Sequence, residues 1–310
     1  MIAIRTHGLT KRFGKLTAVD HLDLTIERGT LYGLIGPNGA GKTTTLRLLA
    51  GLLEPSEGEI YLDGQRVRDA QQASRVIGYM PDFFGVYEDM MVWEYLDFFA
   101  RCYHIPAAQR RQIVDELLAL VDLTEKRDAY VQTLSRGMRQ RLCLAHALVH
   151  DPQILLLDEP ASGLDPRARV EMRELLRELR AMGKTIVISS HILSELAEMC
   201  DAVGIIEQGK LLISAPLQEV YRQVKQDRTL RLRVLSDQER AIALMRNHPG
   251  VGEVYATNSD HIEANFVGDD AATAALLTHL TTQGVAVVSF HETANDLEEV
   301  FLRITQGIVS

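Results

Sequence analysis

The chain has no long apolar run. Its most continuous hydrophobic stretches, such as Ile154–Leu157, fall far short of the ~18–20 residues that cross a bilayer as a helix. No membrane-spanning helix is therefore expected. The N-terminus carries Arg5, His7, Lys11 and Arg12 with no apolar stretch between them, so no secretory signal is expected either. Cysteine is scarce. Cys102, Cys143 and Cys200 are odd in number and widely spaced, which fits neither a disulfide framework nor a zinc pattern. Buried, reduced thiols in a cytosolic protein are expected. Basic blocks are missing too, and the net charge is −9, so nucleic acid is not an expected partner. What the 310 residues do contain is an ordinary globular mixture, 46% hydrophobic and 24% charged. That composition excludes a disordered chain, and the length suits one large domain or two modest ones.

No internal repeat or low-complexity tract is present. Residues 1–35 alternate short apolar strands with turns: Ile2–Ile4, Val19, Leu22–Ile26 and Leu31–Ile35, punctuated by Gly14, Gly29 and Gly33. A glycine-rich turn at 36–41 leads into an expected helix from about Lys42 to Leu53, with Pro55 and Gly58 beyond it. Strands are expected at Gly58–Leu62 and Val76–Tyr79. Residues 83–150 change character and show helical apolar spacing in Val92–Ala100, Ile113–Val121 and Gly137–Val149. Ile154–Leu157 then reads as a strand buried on both faces, as in a parallel sheet. A charged helix at 166–181, a buried strand at Thr185–Ser189, a helix at Leu193–Cys200 and a strand at Val203–Glu207 follow. Strands alternating with helices argue an α/β fold around a parallel sheet. Composition shifts near residue 217, and 218–228 reads as a linker or connecting helix. Beyond it the expected order is strand 229–235, helix 237–248, strands 251–257 and 261–267, helix 270–283, strand 285–291 and helix 294–306. That βαββαβ order is that of a ferredoxin-like α+β domain with one extra helix.

Gly36-Pro37-Asn38-Gly39-Ala40-Gly41-Lys42-Thr43 follows an apolar strand and opens a helix, the required context for a G-x-x-x-x-G-K-[ST] phosphate loop. Glycines let backbone N–H groups turn inward around phosphates, and the helix N-terminus adds a positive dipole end. Lys42 can reach the β- and γ-phosphates, and the Thr43 hydroxyl can ligate Mg²⁺. Thr44 is a candidate donor to the α-phosphate. Chance would produce the four fixed positions in roughly 1% of chains this long, and the strand-to-helix placement lowers that further. The apolar strand 154–157 ends in Asp158 and Glu159. A phosphate-loop enzyme needs one acid to hold Mg²⁺ and often another to polarise water. Asp158 is the candidate for the metal and Glu159 for the general base. Alone, either would read equally as a solvated strand end.

Together these residues resemble the nucleotide-binding subunit of an ATP-binding cassette (ABC) transporter. Leu134-Ser135-Arg136-Gly137-Met138-Arg139-Gln140 resembles the family's LSGGQ signature, just before the acidic strand. Ser162-Gly163-Leu164-Asp165 resembles its D-loop, His191 its switch histidine, and Phe13 the aromatic that stacks on adenine. These motifs run in family order over residues 1 to about 215. Each has a plainer reading in isolation. Ser135 is a natural helix cap, and Gly137 would keep the backbone there open. Asp165 is a turn acid before Pro166, His191 a structural histidine, and Phe13 a core aromatic.

The resemblance implies an α/β P-loop NTPase with an ABC-type β-subdomain and a helical subdomain at about 83–150, all within 1–217. The small ferredoxin-like domain, 218–310, would be accessory. It implies ATP and Mg²⁺ as ligands. The loop residues Gly36, Asn38, Gly39, Ala40, Gly41, Lys42, Thr43 and Thr44 would cradle the phosphates. Thr43 and Asp158 would hold the metal, Glu159 would activate water, and His191 would position it. Ser135 and Gly137 would reach ATP held by a second ATP-binding subunit, a copy or a paralogue, with Asp165 arranging the interface. A separate transmembrane permease and a peripheral place on the cytoplasmic face of the membrane follow from the same resemblance.

The departures carry information. Arg136 and Met138 replace a glycine and a glutamine of the signature, and Arg136 would add positive charge near the partner's phosphates. In Gly78-Tyr79-Met80-Pro81-Asp82 the family usually places glutamine where Asp82 stands. Aspartate is shorter and negative, so it could bind Mg²⁺ directly or reach it only through water. Eight of the chain's eighteen aromatics fall within 83–103. They read either as a helical-subdomain core or as a groove for a permease helix, with Phe83, Phe84 and Tyr87 as the preferred contacts. Asp296-Leu297-Glu298-Glu299-Val300-Phe301-Leu302 resembles a terminal helix of the family's export branch. The tail reads equally as a regulatory, dimer-supporting module or as a stability cap.

Overall fold

A computed structural model describes residues 1–82, 85, 89–224, 228–258 and 260–293. The chain divides into two compact units, Met1–Pro216 and Leu217–Ser310.

The first unit is built on two sheets. A parallel sheet runs in the order Ala202–Glu207, Leu31–Ile35, Thr185–Ser190, Ile154–Asp158, Ile77–Met80, with Lys210–Pro216 added antiparallel outside Ala202–Glu207. The central strands Leu31–Ile35, Ile154–Asp158 and Thr185–Ser190 are buried at every position because both faces are covered. Ile154, Leu156 and Val187 share one core cluster with Leu46, Leu48 and Leu49 of the helix Lys42–Leu49. That cluster also takes in Ile4, Leu9, Leu22, Ile26 and Ile60 from an antiparallel sheet. The antiparallel sheet is centred on the long strand Ile2–Phe13, flanked by Leu16–Leu22, Thr25–Glu27 and Glu57–Leu62. The phosphate-loop helix is thus held in a core that joins both sheets. Between Ile77–Met80 and Ile154–Asp158 the chain inserts the helices Val92–Cys102, Ala107–Leu120 and Arg136–Leu148.

Three expectations are corrected. The first helix stops at Leu49 rather than Leu53. Gly51 enters the left-handed region at φ 71, and the amides of Leu52 and Leu53 turn back to the Arg47 carbonyl at 2.9 and 3.3 Å, an ending that glycine makes possible. The strand Lys210–Pro216 was not expected. Its signal is the turn at Gln208 (φ 49) and Gly209 (φ 81), two successive positive φ angles of the kind that close two-residue hairpins. Among the cysteines, Cys143 and Cys200 are buried but Cys102 is exposed, because it lies at the end of its helix on the solvent side.

The second unit has the strand order Val251–Ala256, His261–Phe266, Arg228–Val234, Val287–Thr293, all antiparallel. Helices Gln238–Arg246 and Asp270–Thr282 follow the first and third strands. Leu230, Leu232, Ile262, Phe266, Met245 and Leu276 share its core. The second and third strands in sequence are neighbours and the first lies between the third and fourth, which is the ferredoxin-like arrangement. The expected helix 294–306 lies outside the described residues.

Candidate functional site

The phosphate loop bridges the strand Leu31–Ile35 and the helix Lys42–Leu49. Its shape depends on glycine at two places. A Cβ on Gly36 would lie 2.3 Å from the Ile206 carbonyl oxygen, and one on Gly41, at φ 107, would lie 2.4 Å from that of Ala18. The first helical bond runs from the Thr45 amide to the Gly41 carbonyl at 2.8 Å. The amides ahead of it are the open donors that every helix start presents, a group suited to binding anions. Asn38 and Gly39 are exposed, while Ala40 is buried against the core. Lys42 is only 7% exposed, and its Nζ donates to the carbonyls of Gly36 at 2.7 Å and Pro37 at 3.2 Å. Burial pushes the Lys42 ammonium pKa down, with Glu159 and Asp158 pulling the other way.

Parallel pairing places the acidic strand one strand away, across Thr185–Ser190. Asp158 is buried, and its Oδ1 accepts from Thr43 Oγ1 at 3.1 Å and from Ser189 Oγ at 2.5 Å. Its Oδ2 is buried with no hydrogen-bond partner among the described residues. Such an orphaned carboxylate oxygen beside a threonine hydroxyl fits a divalent cation. The strand ends at Asp158, and Glu159 turns out of it at φ 51. That turn swings its carboxylate between two groups: Oε2 lies 2.8 Å from His191 Nδ1, and Oε1 lies 3.9 Å from Lys42 Nζ. Thr43, Asp158, Glu159, His191 and Lys42, drawn from three separate stretches of sequence, thus converge in one place. Ser189 was missed at the sequence level. Its signal was a hydroxyl directly after the apolar run Ile186–Ile188, in a strand every residue of which is buried.

The signature and D-loop segments are tied together within the chain. Ser135 caps the helix Arg136–Leu148 by accepting from the Met138 amide at 3.3 Å. Gln140 Nε2 donates to the Ser162 carbonyl at 3.2 Å. The Arg136 guanidinium covers Gly163, where a Cβ would lie 2.4 Å from its central carbon. Arg136 is therefore seated on this chain's own D-loop. A Cβ on Gly137 would meet Ala168 at 3.3 Å, so glycine there serves close approach to the helix Pro166–Ala181. Asp165 caps that helix, accepting from the Ala168 amide at 2.9 Å. Arg169 links the D-loop to the segment after His191: its Nε donates to the Leu164 carbonyl at 3.0 Å, and it pairs with Glu195 at 3.3 Å.

Phe13 ends the strand Ile2–Phe13 and is 47% exposed, with Lys11 Nζ 5.3 Å from its ring centre. It is not a core residue. Asp82 is exposed. It follows the strand Ile77–Met80, whose Met80 pairs with Leu157, so it leaves the sheet at the same end as Asp158. Phe83, Phe84 and Tyr87 lie outside the described residues.

Three of the other aromatics of 83–103 pack against the signature helix or the turn just after it. Phe99 stacks on His146 at 3.6 Å and Tyr103 on His150 at 3.9 Å, and Tyr95 is buried edge-on to both Phe99 and His146. Burial, with a lesser contribution from nearby His150, pushes the His146 pKa from 6.5 down to about 4. The unfolded chain therefore takes up a proton first as the pH falls, and the stability carried by the neutral ring is lost between about pH 6.5 and 4. Between pH 7 and 5 the wild-type melting temperature should fall a few °C further than that of His146→Phe, read by thermal unfolding across that range. Equal slopes for the two proteins would refute it.

Residues 19–162 match the family model described as ABC transporter, and residues 216–305 match one described as ATP-binding protein DrrA1-3-like, C-terminal domain. The bacitracin transport ATP-binding protein BcrA of Bacillus licheniformis is 36% identical over 308 residues, covering 98% of this chain and 97% of that protein. The Nod factor export ATP-binding protein I of Ralstonia nicotianae is 35% identical, covering 97% and 93%. The solved structure of cbiO1 from Clostridium perfringens, part of the ABC transporter complex cbiONQ, superposes with a TM-score of 0.66 at 26% identity, covering 72% of this chain and 92% of that one. With its phosphate loop, its acidic strand and relatives that match it nearly end to end, the chain belongs to the ATP-binding subunits of the ABC transporters, an ATP-hydrolysing family.

Proposed function

We propose that this chain hydrolyses ATP to drive export through a separate membrane permease, acting as one of two cassettes that close around two ATP molecules. The observation that carries the reading is the Glu159 carboxylate held between His191 at 2.8 Å and Lys42 at 3.9 Å, beside the half-satisfied Asp158. The loop amides and Lys42 bind the β- and γ-phosphates. Glu159 accepts a proton from the attacking water, and His191 holds that water and the γ-phosphate in line. Thr43 and Asp158 would hold Mg²⁺, which supplies charge neutralisation on the phosphate oxygens when bound. Thr44 donates to the α-phosphate and Phe13 offers its exposed face to adenine. Ser135 and Gly137 present a helix start to ATP on the second cassette, and Asp165 shapes the junction. The accessory unit 218–310 supports regulation or pairing of cassettes.

Export and the permease rest on the relatives, two of which are named for bacitracin transport and Nod factor export. Among the described residues no helix is long and apolar enough to cross a membrane, which is consistent with a permease on another polypeptide and a peripheral place on the cytoplasmic face. Affinity purification from detergent-solubilised native membranes tests this. A stoichiometric polytopic membrane protein should accompany the chain. Recovery alone or with ribosomal proteins would overturn the transporter reading.

Asp82 concerns coupling in this scheme. Its exposed carboxylate stands at the sheet end that carries Asp158, ahead of the segment assigned to permease contact. Asp82→Ala should leave the basal ATPase of the isolated protein within about threefold of wild type and lower permease-coupled transport by about tenfold. Unchanged rates in both assays would rule out a coupling role.

A further inference from the structure

We propose that Ser189 is the positioning residue of this site, orienting the metal-binding face of Asp158 and the backbone of Glu159 through one hydroxyl. The inference rests on the hydrolytic reading above. Ser189 lies directly across from Asp158 in the parallel register and is fully buried. Its Oγ donates to Asp158 Oδ1 at 2.5 Å and accepts from the Glu159 amide at 3.0 Å. A hydroxyl has one proton to give and lone pairs to receive, so the single group satisfies both neighbours at once.

The arrangement has a direction. Asp158 Oδ1 accepts from both Thr43 and Ser189, while Oδ2 has no partner among the described residues. Oδ2 is therefore the oxygen left for a cation. A cation would take a lone pair of the Thr43 hydroxyl, whose proton can stay on Oδ1. Thr43 and Ser189 are thus the two donors that fix the carboxylate plane, and Ser189 is the one that would not itself touch the metal. Outer partners of this kind set the orientation and affinity of the ligands they hold. The second bond acts on the general base. Glu159 sits at φ 51, a region that non-glycine residues occupy at a cost. Its amide is held there by the Ser189 hydroxyl and, at 3.2 Å, by the Ser189 carbonyl. That backbone turn is what aims the carboxylate at His191 and Lys42. A buried serine with a purely structural role would satisfy itself on a main-chain carbonyl; this one is spent on the carboxylate and amide that frame the reaction.

The test uses the full chain with Ser189→Ala and Ser189→Cys. Cysteine keeps the volume and is a weak donor, so it separates loss of the bond from creation of a void. Affinity for a fluorescent ATP analogue is measured by titration with EDTA and again with Mg²⁺, alongside steady-state ATPase and melting temperature. In EDTA both variants should bind within about twofold of wild type. The gain in affinity on adding Mg²⁺ should shrink about tenfold in both, and kcat should fall by about 10- to 100-fold. Equal weakening with and without Mg²⁺ would mark Ser189 as merely structural, and a wild-type Mg²⁺ response in either folded variant would overturn the proposal. If one variant fails to fold, the other decides. Failure of the hydrolytic reading looks different: wild type itself would show neither a Mg²⁺ response nor turnover.

Discussion

Glu159→Gln should lower steady-state ATP hydrolysis by about 10²- to 10⁴-fold while leaving ATP binding close to wild type. The substitution keeps the shape of the side chain and its contact with His191 Nδ1, 2.8 Å away. What it removes is a site that can take a proton from water. Binding persists because the phosphates are held by the loop amides and Lys42, whose Nζ is anchored by the Gly36 and Pro37 carbonyls, independently of Glu159. The amide also takes away one of the two carboxylates that offset the burial of Lys42. That shifts the ammonium further down but leaves Asp158 in place. Phosphate release and fluorescent-nucleotide titration on the same preparation read the two effects separately. Retained turnover would remove Glu159 from the role of general base, and parallel loss of binding would show that the substitution had disturbed the loop instead.

Gly41→Ala should abolish nucleotide binding and lower the melting temperature by roughly 5–10 °C. Two penalties act together. At φ 107 the residue lies where side chains other than glycine are strained, and the added methyl would sit 2.4 Å from the Ala18 carbonyl oxygen. The obstacle is main chain in the strand Leu16–Leu22, so it cannot swing aside as the end of a side chain would. Gly39→Ala provides the comparison. Gly39 also has positive φ, 81, but no atom lies within 4 Å of a Cβ there. Only the conformational cost of about 1 kcal/mol applies, which corresponds to a fall of only about 2–4 °C. Thermal unfolding with and without ATP checks both. Equal shifts would mean that backbone strain, not the collision with Ala18, dominates at Gly41.

The sequence made the site legible where chemistry demands a fixed spacing. The phosphate loop and the acidic strand were readable because backbone amides, an ammonium and two carboxylates must occupy set positions around phosphates. Their neighbours were harder to read. Ser189 is an ordinary strand serine until pairing places it across from Asp158. Arg169 and Glu195, on two helices separated in sequence by a strand, meet at 3.3 Å only in the fold. Arg136 reads as a charge near a partner's phosphates, and its contact with Gly163, open only because glycine lacks a side chain, has no mark in the sequence. In the fold, the helix Pro166–Ala181 was legible to the residue through Asp165 and Pro166 at its start. The helix Lys42–Leu49 was overextended because Leu52 and Leu53 continue its apolar spacing. Gly51 decided its end by conformation, which periodicity does not register.

The bracing of the phosphate loop has a bearing on how the chain is made. The Ala40 carbonyl accepts from the Gly209 amide at 2.9 Å, and Gly36 is pressed against the Ile206 carbonyl. The strand that feeds the loop, Leu31–Ile35, has Ala202–Glu207 on one side and Thr185–Ser190 on the other. All of those supports leave the ribosome on the order of ten seconds or more after the loop itself. Through that interval the motif has the N-terminal strands to pack on, but its strand Leu31–Ile35 lacks both sheet neighbours and its loop lacks the Gly209 brace. The nucleotide site is therefore expected to reach its final shape only after the hairpin around Gly209 has emerged.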